Sequence, residues 1–341
     1  MSEKEKIKYS GVGGEALIEG IMMKGPYGAA IACRLPGGEI DVTEKPFKSV
    51  TEKHKILKAP FIRGPINFVE QMVFGYKCMM ESAEKTAFDT DMNEEEMSKL
   101  DKWLSDHFGP KMMAVIGAIA MVLGFGLAFL IFFYLPTLLT DLINNHLAGG
   151  SLDRARPLIE GIMRMIIFVA YMWGVSQMSD IKRVFKYHGA EHKCIFCIEH
   201  GLELTVENVR KQQRFHPRCG TSFIFITIIL SIIVSSAVVV VAPQIRDIRW
   251  LWIIVKVLLL PLIMSIGYEC IRLAGKHDNV FTRILSAPGL FMQRITTKEP
   301  EDDIIEVGIA AIKYVITPPE ERNKAVETEN SEADESENEA E

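Results

Sequence analysis

Tyr187 to Ser222, YHGAEHKCIFCIEHGLELTVENVRKQQRFHPRCGTS, gathers His188, Glu191, His192, His216 and Cys219 into one polar stretch between apolar runs. If its first half is helical, His188, Glu191 and His192 stand at i, i+3 and i+4 and share a face. Neutral imidazole nitrogen and thiolate sulfur suit a borderline-soft divalent metal, zinc above all, and a carboxylate beside them is free to act as a base. His216-Pro-Arg-Cys219 adds one nitrogen and one sulfur, with Pro217 fixing the backbone between them. The expected ligands are therefore His188, His192 and His216, with Cys219 as a fourth ligand or a group hydrogen-bonded behind them. Glu191 is the candidate base, and Arg218 the candidate stabiliser of an anionic intermediate or a substrate phosphate.

Three chemistries compete for this stretch. H-x-x-E-H is the residue order of one group of zinc peptidases. Cys194-x2-Cys197 followed by His216-x2-Cys219 is close to zinc-ribbon spacing, which makes a closed structural site. In the third, the histidines are ordinary hydrogen-bonding groups and the cysteines small buried hydrophobes.

The elements that must position these residues are largely membranous. Met112 to Leu135 and Thr221 to Val241 contain no charged residue, and each is long enough to cross a bilayer as a helix. Leu158 to Ser179 and Trp250 to Ile271 are mostly apolar, with Glu160 and Arg164 in the first and Lys256 and Glu269 in the second. Arg164, Lys256 and Glu269 lie near span ends, from which they can snorkel to the interface, so transport is the least favoured activity. Lysine and arginine are dense between Asp180 and Gly220 and sparse in the neighbouring loops. This asymmetry predicts that the His/Glu/Cys segment and both termini are cytoplasmic. The polar first residues lack the apolar core of a cleavable signal peptide.

Six cysteines, at 33, 78, 194, 197, 219 and 270, fall in segments assigned to the reducing side, so metal ligation or burial explains them better than disulfides. The net charge of -6 is set by Pro318 to Glu341, where ten acidic residues face only Arg322 and Lys324. The body carries no basic footprint for nucleic acid.

In chain order, residues 1–60 form an N-terminal region. Its Gly11-Val-Gly-Gly14 lacks the lysine and serine of a phosphate loop. Ala29 to Arg34 and Glu39 to Glu44 alternate as a small hairpin about Leu35-Pro-Gly-Gly38. Residues 61–111 hold an amphipathic helix, with Ile62, Ile66, Val69, Val73, Tyr76 and Met80 on one face, and an acidic connector. Spans one and two occupy 112–179, the polar segment 180–220, and spans three and four 221–275. Residues 276–317 give an ordered loop with a short helix and then an amphipathic helix over Glu299 to Ile316. The tail, 318–341, has almost nothing to bury and is expected to be disordered. The fold class is thus a mainly α membrane protein of about four transmembrane helices, with a small β-hairpin region, further amphipathic helices and an acidic tail.

The motifs GGEALIEGIMMKGP, FIRGP, YHGAEHK, LTVENV, HPRCGTSF, YECIRLAGKH, RILSAPGL and TTKEPEDD run from Gly13 to about Ile316. On them the chain resembles the YqhQ-like family of uncharacterised bacterial membrane proteins, domain of unknown function 1385, often labelled a predicted metal-dependent enzyme. The resemblance implies the bacterial cytoplasmic membrane and a polar centre at His188, Glu191, His192, His216 and Cys219. It adds Glu19, and Glu269 with Arg272, as secondary positions. Glu15 stands where the family is expected to have glutamine, and Cys194 where threonine is common, which argues against a ligand role for Cys194.

These readings support a membrane protein with a divalent metal, zinc by its donors, acting as a metal-dependent hydrolase on a peptide, amide or phosphoester. The alternative is a non-enzymatic membrane scaffold with a structural metal or none. The bilayer is the expected partner, with further copies of the chain or other membrane proteins open.

Overall fold

The structure, a computed structural model, describes residues 10–53, 55–87, 110–147, 149, 151–152, 155–276 and 279–322. Most of the acidic connector, residues 1–9 and the acidic tail beyond Arg322 lie outside the described residues. Near the N-terminus the chain makes four antiparallel strands, β1 (Gly13–Leu17), β2 (Gly20–Gly25), β3 (Gly28–Arg34) and β4 (Ile40–Lys45), in the order β1-β2-β3-β4. Helix α1 (Arg63–Ala87) follows. Helix α2 (Pro110–Phe129) continues through a π-type turn at Leu130–Tyr134 into α3 (Leu135–Leu142) and a second π-type turn at Ile143–Leu147. The remaining helices are α4 (Arg156–Val175), α5 (Ser179–Glu199), α6 (Val206–Arg210), α7 (Gly220–Val241), α8 (Arg249–Lys276), α9 (Val280–Thr296) and α10 (Asp302–Ile316).

The predicted hairpin is present as β3 and β4, with Ala29 opposite Lys45 and Arg34 opposite Ile40. Missed was the preceding pair, β1 and β2. Side chains alternate across a strand, and here both faces are covered. Ile21, Met23, Ala30 and Ala32 pack on α5 and α10, while Leu17, Met22, Ile31 and Cys33 pack with Cys78 of α1. A strand buried on both sides reads as a continuous apolar run and hides its period of two. Helix α10 matches the expected amphipathic helix, burying Ile304, Ile305, Val307, Ile309, Ile312 and Val315 and opening with Asp302 and Asp303.

Four helices are long and apolar enough to cross a membrane: Met121–His146, Arg156–Val175, Gly220–Val241 and Arg249–Leu273. The first runs further than its hydropathy suggested, because Pro136 and Asp141 lie within it. Asp141 is tolerated there by ion pairs to Arg156 and, at 2.7 Å, to Arg249. Nor do Arg164 and Lys256 snorkel. Lys256 is buried and bonds Glu160 at 2.6 Å and Thr137 at 2.7 Å, while Trp252 Nε1 donates to Glu160 at 3.0 Å. Arg164 donates to the Phe132 carbonyl in the first π-type turn at 2.9 Å and to Ser231 at 3.2 Å. Helix α9 is longer than the short helix expected, with Pro288 inside it and Asn279 and Thr282 forming a capping box.

Candidate metal centre

Helix α5 carries the H-x-x-E-H stretch, so His188, Glu191 and His192 do share a face. It runs between the sheet and the ends of α7 and α9, and two glycines permit the close approaches. A Cβ on Gly189 would overlap the Lys298 carbonyl beyond α9. At Gly14 of β1 it would lie 2.9 Å from the Glu191 Cγ and 2.7 Å from the Met22 carbonyl. Lys193, also buried, fixes the helix on its other side through the Arg210 carbonyl at 2.8 Å and Glu299. Cys219 is the residue just before α7, brought beside α5 by the His216–Cys219 turn.

The two helical histidines are oriented alike. His188 Nδ1 lies 2.8 Å from the Thr296 carbonyl, and His192 Nδ1 lies 2.5 Å from that of Arg214. A carbonyl can only accept, so each Nδ1 carries the proton and each Nε2 of the neutral ring keeps its lone pair. His188 Nε2 stands 3.2 Å from Cys219 Sγ, and donor atoms of His188, His192 and Cys219 all fall within 4.8 Å of one another. These three form the group, among the described residues, that could hold a metal ion. The other ring nitrogen of each imidazole donating to a backbone carbonyl is the usual support of a ligating histidine. Glu191 Oε2 lies 3.9 Å from His188 Nε2 and 4.0 Å from His192 Nε2. Burial pushes its carboxyl up, against the opposing pull of His188 and of the Gly14 N–H.

His216 is not brought into this group. Its Nδ1 accepts from the Arg218 N–H at 3.3 Å, and its Nε2 faces Arg218 Nη2 at 3.1 Å and Glu199 at 3.7 Å. Both nitrogens are thus engaged within their own turn. Gln293 of α9 clamps the His216 backbone from both sides, accepting from its N–H and donating to its carbonyl, each at 2.7 Å. Arg218, expected to meet an anion, is instead paired with the buried Glu199, which also accepts from Ser10. Burial alone would raise the Glu199 carboxyl, but the neighbouring His216 and hydrogen bonds from Arg218 and Ser10 hold it down at about 2. This network supports Cys219 from behind.

The zinc-ribbon geometry is absent. Cys194 is fully buried against Gly308 of α10, where burial pushes its thiol well up, and Cys197 Sγ donates to the Glu203 carbonyl at 3.4 Å. Neither belongs to the group around Cys219. The secondary positions are structural ties. Glu19, at φ 50° in the β1–β2 turn, is held by Arg183 and by the Tyr187 hydroxyl at 3.1 Å, pinning the sheet to α5. Glu269 receives Arg63 through two bonds of 2.7 and 2.6 Å, with Arg272 at 3.8 Å, joining α1 to α8.

One residue discounted in the sequence lies close to the centre. Glu15 of β1 has its carboxylate against Gly75 of α1, hydrogen-bonded to Gln71. Burial raises its pKa, and the neighbouring Glu191 raises it further. One buried acid, Glu191, and one half-buried acid, Glu15, thus lie near His188. Its place follows from the pairing of β1 with β2, Glu15 opposite Met22, which is not legible without β1.

A family model described as a protein of unknown function, DUF1385, matches residues 59–318. The uncharacterized protein YqhQ of Bacillus subtilis (strain 168) is 36% identical over 307 residues, spanning 89% of this chain and 92% of that protein. No solved structure matches.

Proposed function

This chain belongs to the DUF1385 family, and from that premise we propose that His188, His192 and Cys219 hold a divalent metal in a hydrolytic site at the cytoplasmic face of the bacterial membrane. The observation that carries the reading is the paired tautomer. Both Nδ1 protons are committed to main-chain carbonyls, which leaves each Nε2 its lone pair, and one donor atom each from His188, His192 and Cys219 lies within 4.8 Å of the others. Two imidazoles and one thiolate favour zinc, and three protein ligands are the number found in catalytic zinc sites. When bound, such an ion supplies Lewis acidity.

The chain's own residues supply the rest. Glu191 is buried beside both Nε2 atoms, and its raised pKa lets it take or return a proton nearer neutrality than a solvated carboxylate can. Glu15 borders it, and Glu191 opposes the ionisation of Glu15. Arg218, being neutralised by Glu199, orients the turn that ends at Cys219 and is not available as an anion clamp. The density of basic residues in the 180–220 segment supports the cytoplasmic orientation.

Metal analysis of detergent-purified protein tests this reading. His188→Ala and His192→Ala should lose the metal, whereas Glu191→Gln should retain it and lose turnover on chromogenic ester, amide or phosphoester substrates. Equal metal in all four proteins would overturn the site. Retained metal with no Glu191-dependent turnover on any of these substrates would favour the scaffold reading.

A further inference from the structure

Helices α1 and α9 each carry site-supporting residues on one face and exposed apolar residues on the opposite one. On α1, Gln71 and Gly75 meet Glu15, while Cys78 and Ser82 pack on the sheet. The other face presents Val69, Met72, Val73, Tyr76 and Met80, all at least half exposed. These five recur at intervals of three and four and make one stripe about three turns long. On α9, Gln293 holds His216 and the Thr296 carbonyl holds His188. Opposite them Val280, Ile284 and Phe291 are 72%, 68% and 60% exposed. A soluble surface rarely leaves contiguous apolar stripes of this extent uncovered.

Both stripes are continuous with the membrane-spanning helices. The start of α1 is bound into the last turns of the fourth span through Arg63 to Glu269, Asn67 to Tyr268 at 2.9 Å, and Gly64 against Ser265. Phe68 also packs on Phe223 near the start of the third span, with ring centroids 5.3 Å apart. Helix α9 begins four residues after α8 ends, and its Gly289 crosses Ser222, in the first turn of α7. Cations border the stripes as they do on helices lying in a headgroup layer. The Arg294 guanidinium stands 5.6 Å from the Phe291 ring, and Lys48 and Lys77 edge a shallow groove of Phe47, Val50, Val69 and Val73 beside α1.

We propose that α1 and α9 are in-plane helices seated on the lipid at the sheet-bearing end of the spans, so that the bilayer surface holds the outer supports of the His/Cys cluster. The occupant of both stripes is lipid, with acidic headgroups meeting the bordering lysines and arginine. The inference stands on the two helix faces and does not depend on a metal being bound. It implies that detergent exchange alters the geometry around His188 and His216, because Thr296 and Gln293 ride on α9.

The test uses the full chain in nanodiscs of phosphatidylethanolamine and phosphatidylglycerol, with the photoreactive residue benzoylphenylalanine placed in turn at Tyr76, Phe291 and Lys211. The first two are exposed aromatic positions that accept the bulky ring without disturbing the core, and Lys211 is a polar control just after α6. Irradiation should give phospholipid adducts at positions 76 and 291 and none at 211. Adducts to a second copy of the chain, or yields at 76 and 291 no higher than at 211, would overturn the proposal. Repeating the pair at Val73 and Ile284 guards against a single misplaced ring, and the same two results decide it.

Discussion

Among the described residues, two clusters of buried polar groups are built on opposite plans. Among the spans, Asp141, Arg156, Glu160, Lys256, Trp252 and Thr137 meet one another in ion pairs and hydrogen bonds that consume one group's donors with another's acceptors. Around α5, by contrast, the hydrogen bonds to Thr296 and Arg214 leave two imidazole lone pairs beside a sulfur, directed at common space. A closed network holds helices together, whereas an open one has capacity for a guest. Ionisable residues inside membrane spans are a usual pointer to function. Here the internal closure of the span cluster favours a staple, and the site is sought at the other cluster.

The largest expected effect tests the staple. Lys256→Met leaves Glu160 without its ammonium partner in a buried setting, which costs about 3–5 kcal/mol when one member of a buried pair is removed. The variant should lose most monodisperse protein on size exclusion, and Glu160→Gln with Lys256→Met should recover much of it. If the single variant is as stable as the parent, the cluster is not a staple and the contrast between the two regions fails.

Next in size is the Glu199 network, which has a definite pH dependence. Glu199 is held at about 2, below its ordinary 4.5, so its contribution is present above that ordinary value and is lost as pH falls through about 2. That shift corresponds to about 3 kcal/mol. Burial lowers His216 from 6.5 to about 4, so its contribution is complete above 6.5 and is lost as pH falls toward 4. The contribution of these two groups to the stability of metal-free protein should therefore be flat above pH 6.5 and decline below it, while Glu191 and Glu15, whose carboxyls burial raises, act in the opposite sense. Glu199→Gln should lower the plateau and flatten the acid limb, as read by thermal unfolding. A stability difference between the parent and Glu199→Gln that grows on acidification would contradict the Glu199 assignment.

A smaller effect is expected at the clamp behind the site. Gln293→Ala removes both bonds to the His216 backbone while leaving every proposed ligand in place. Loss of such a support typically costs 10–100-fold in metal affinity, on the order of the effect expected in a chelator competition. The smallest effect is at Cys194→Ser, which should leave metal content unchanged because that thiol packs on Gly308 away from Cys219. Metal lost from Cys194→Ser would restore the zinc-ribbon reading.

Much of this architecture is legible in the sequence, and what is not has physical causes. The i, i+3, i+4 spacing of His188, Glu191 and His192 is a local property of one helix, so it survives into the structure. The four apolar spans are legible for the same reason. The place of His216 was not. It stands three positions before Cys219, and whether its imidazole turns toward His188 and His192 or toward Glu199, at the end of α5, is coupled to Gln293, which holds its backbone from 77 positions away. Lys256 was read as a snorkelling residue because its partner Glu160 lies on another helix, 96 positions distant. Strand β1 escaped notice because both faces of its sheet are covered, and Glu15 went with it.

The central claim concerns which atoms would face a metal, and X-ray absorption at the zinc edge of the reconstituted full-length protein measures that directly. The account predicts two imidazole nitrogens and one sulfur from the protein, with the sulfur lost in Cys219→Ser and the spectrum unchanged in His216→Gln. Two or more sulfurs, or an imidazole contribution that disappears in His216→Gln, would contradict it.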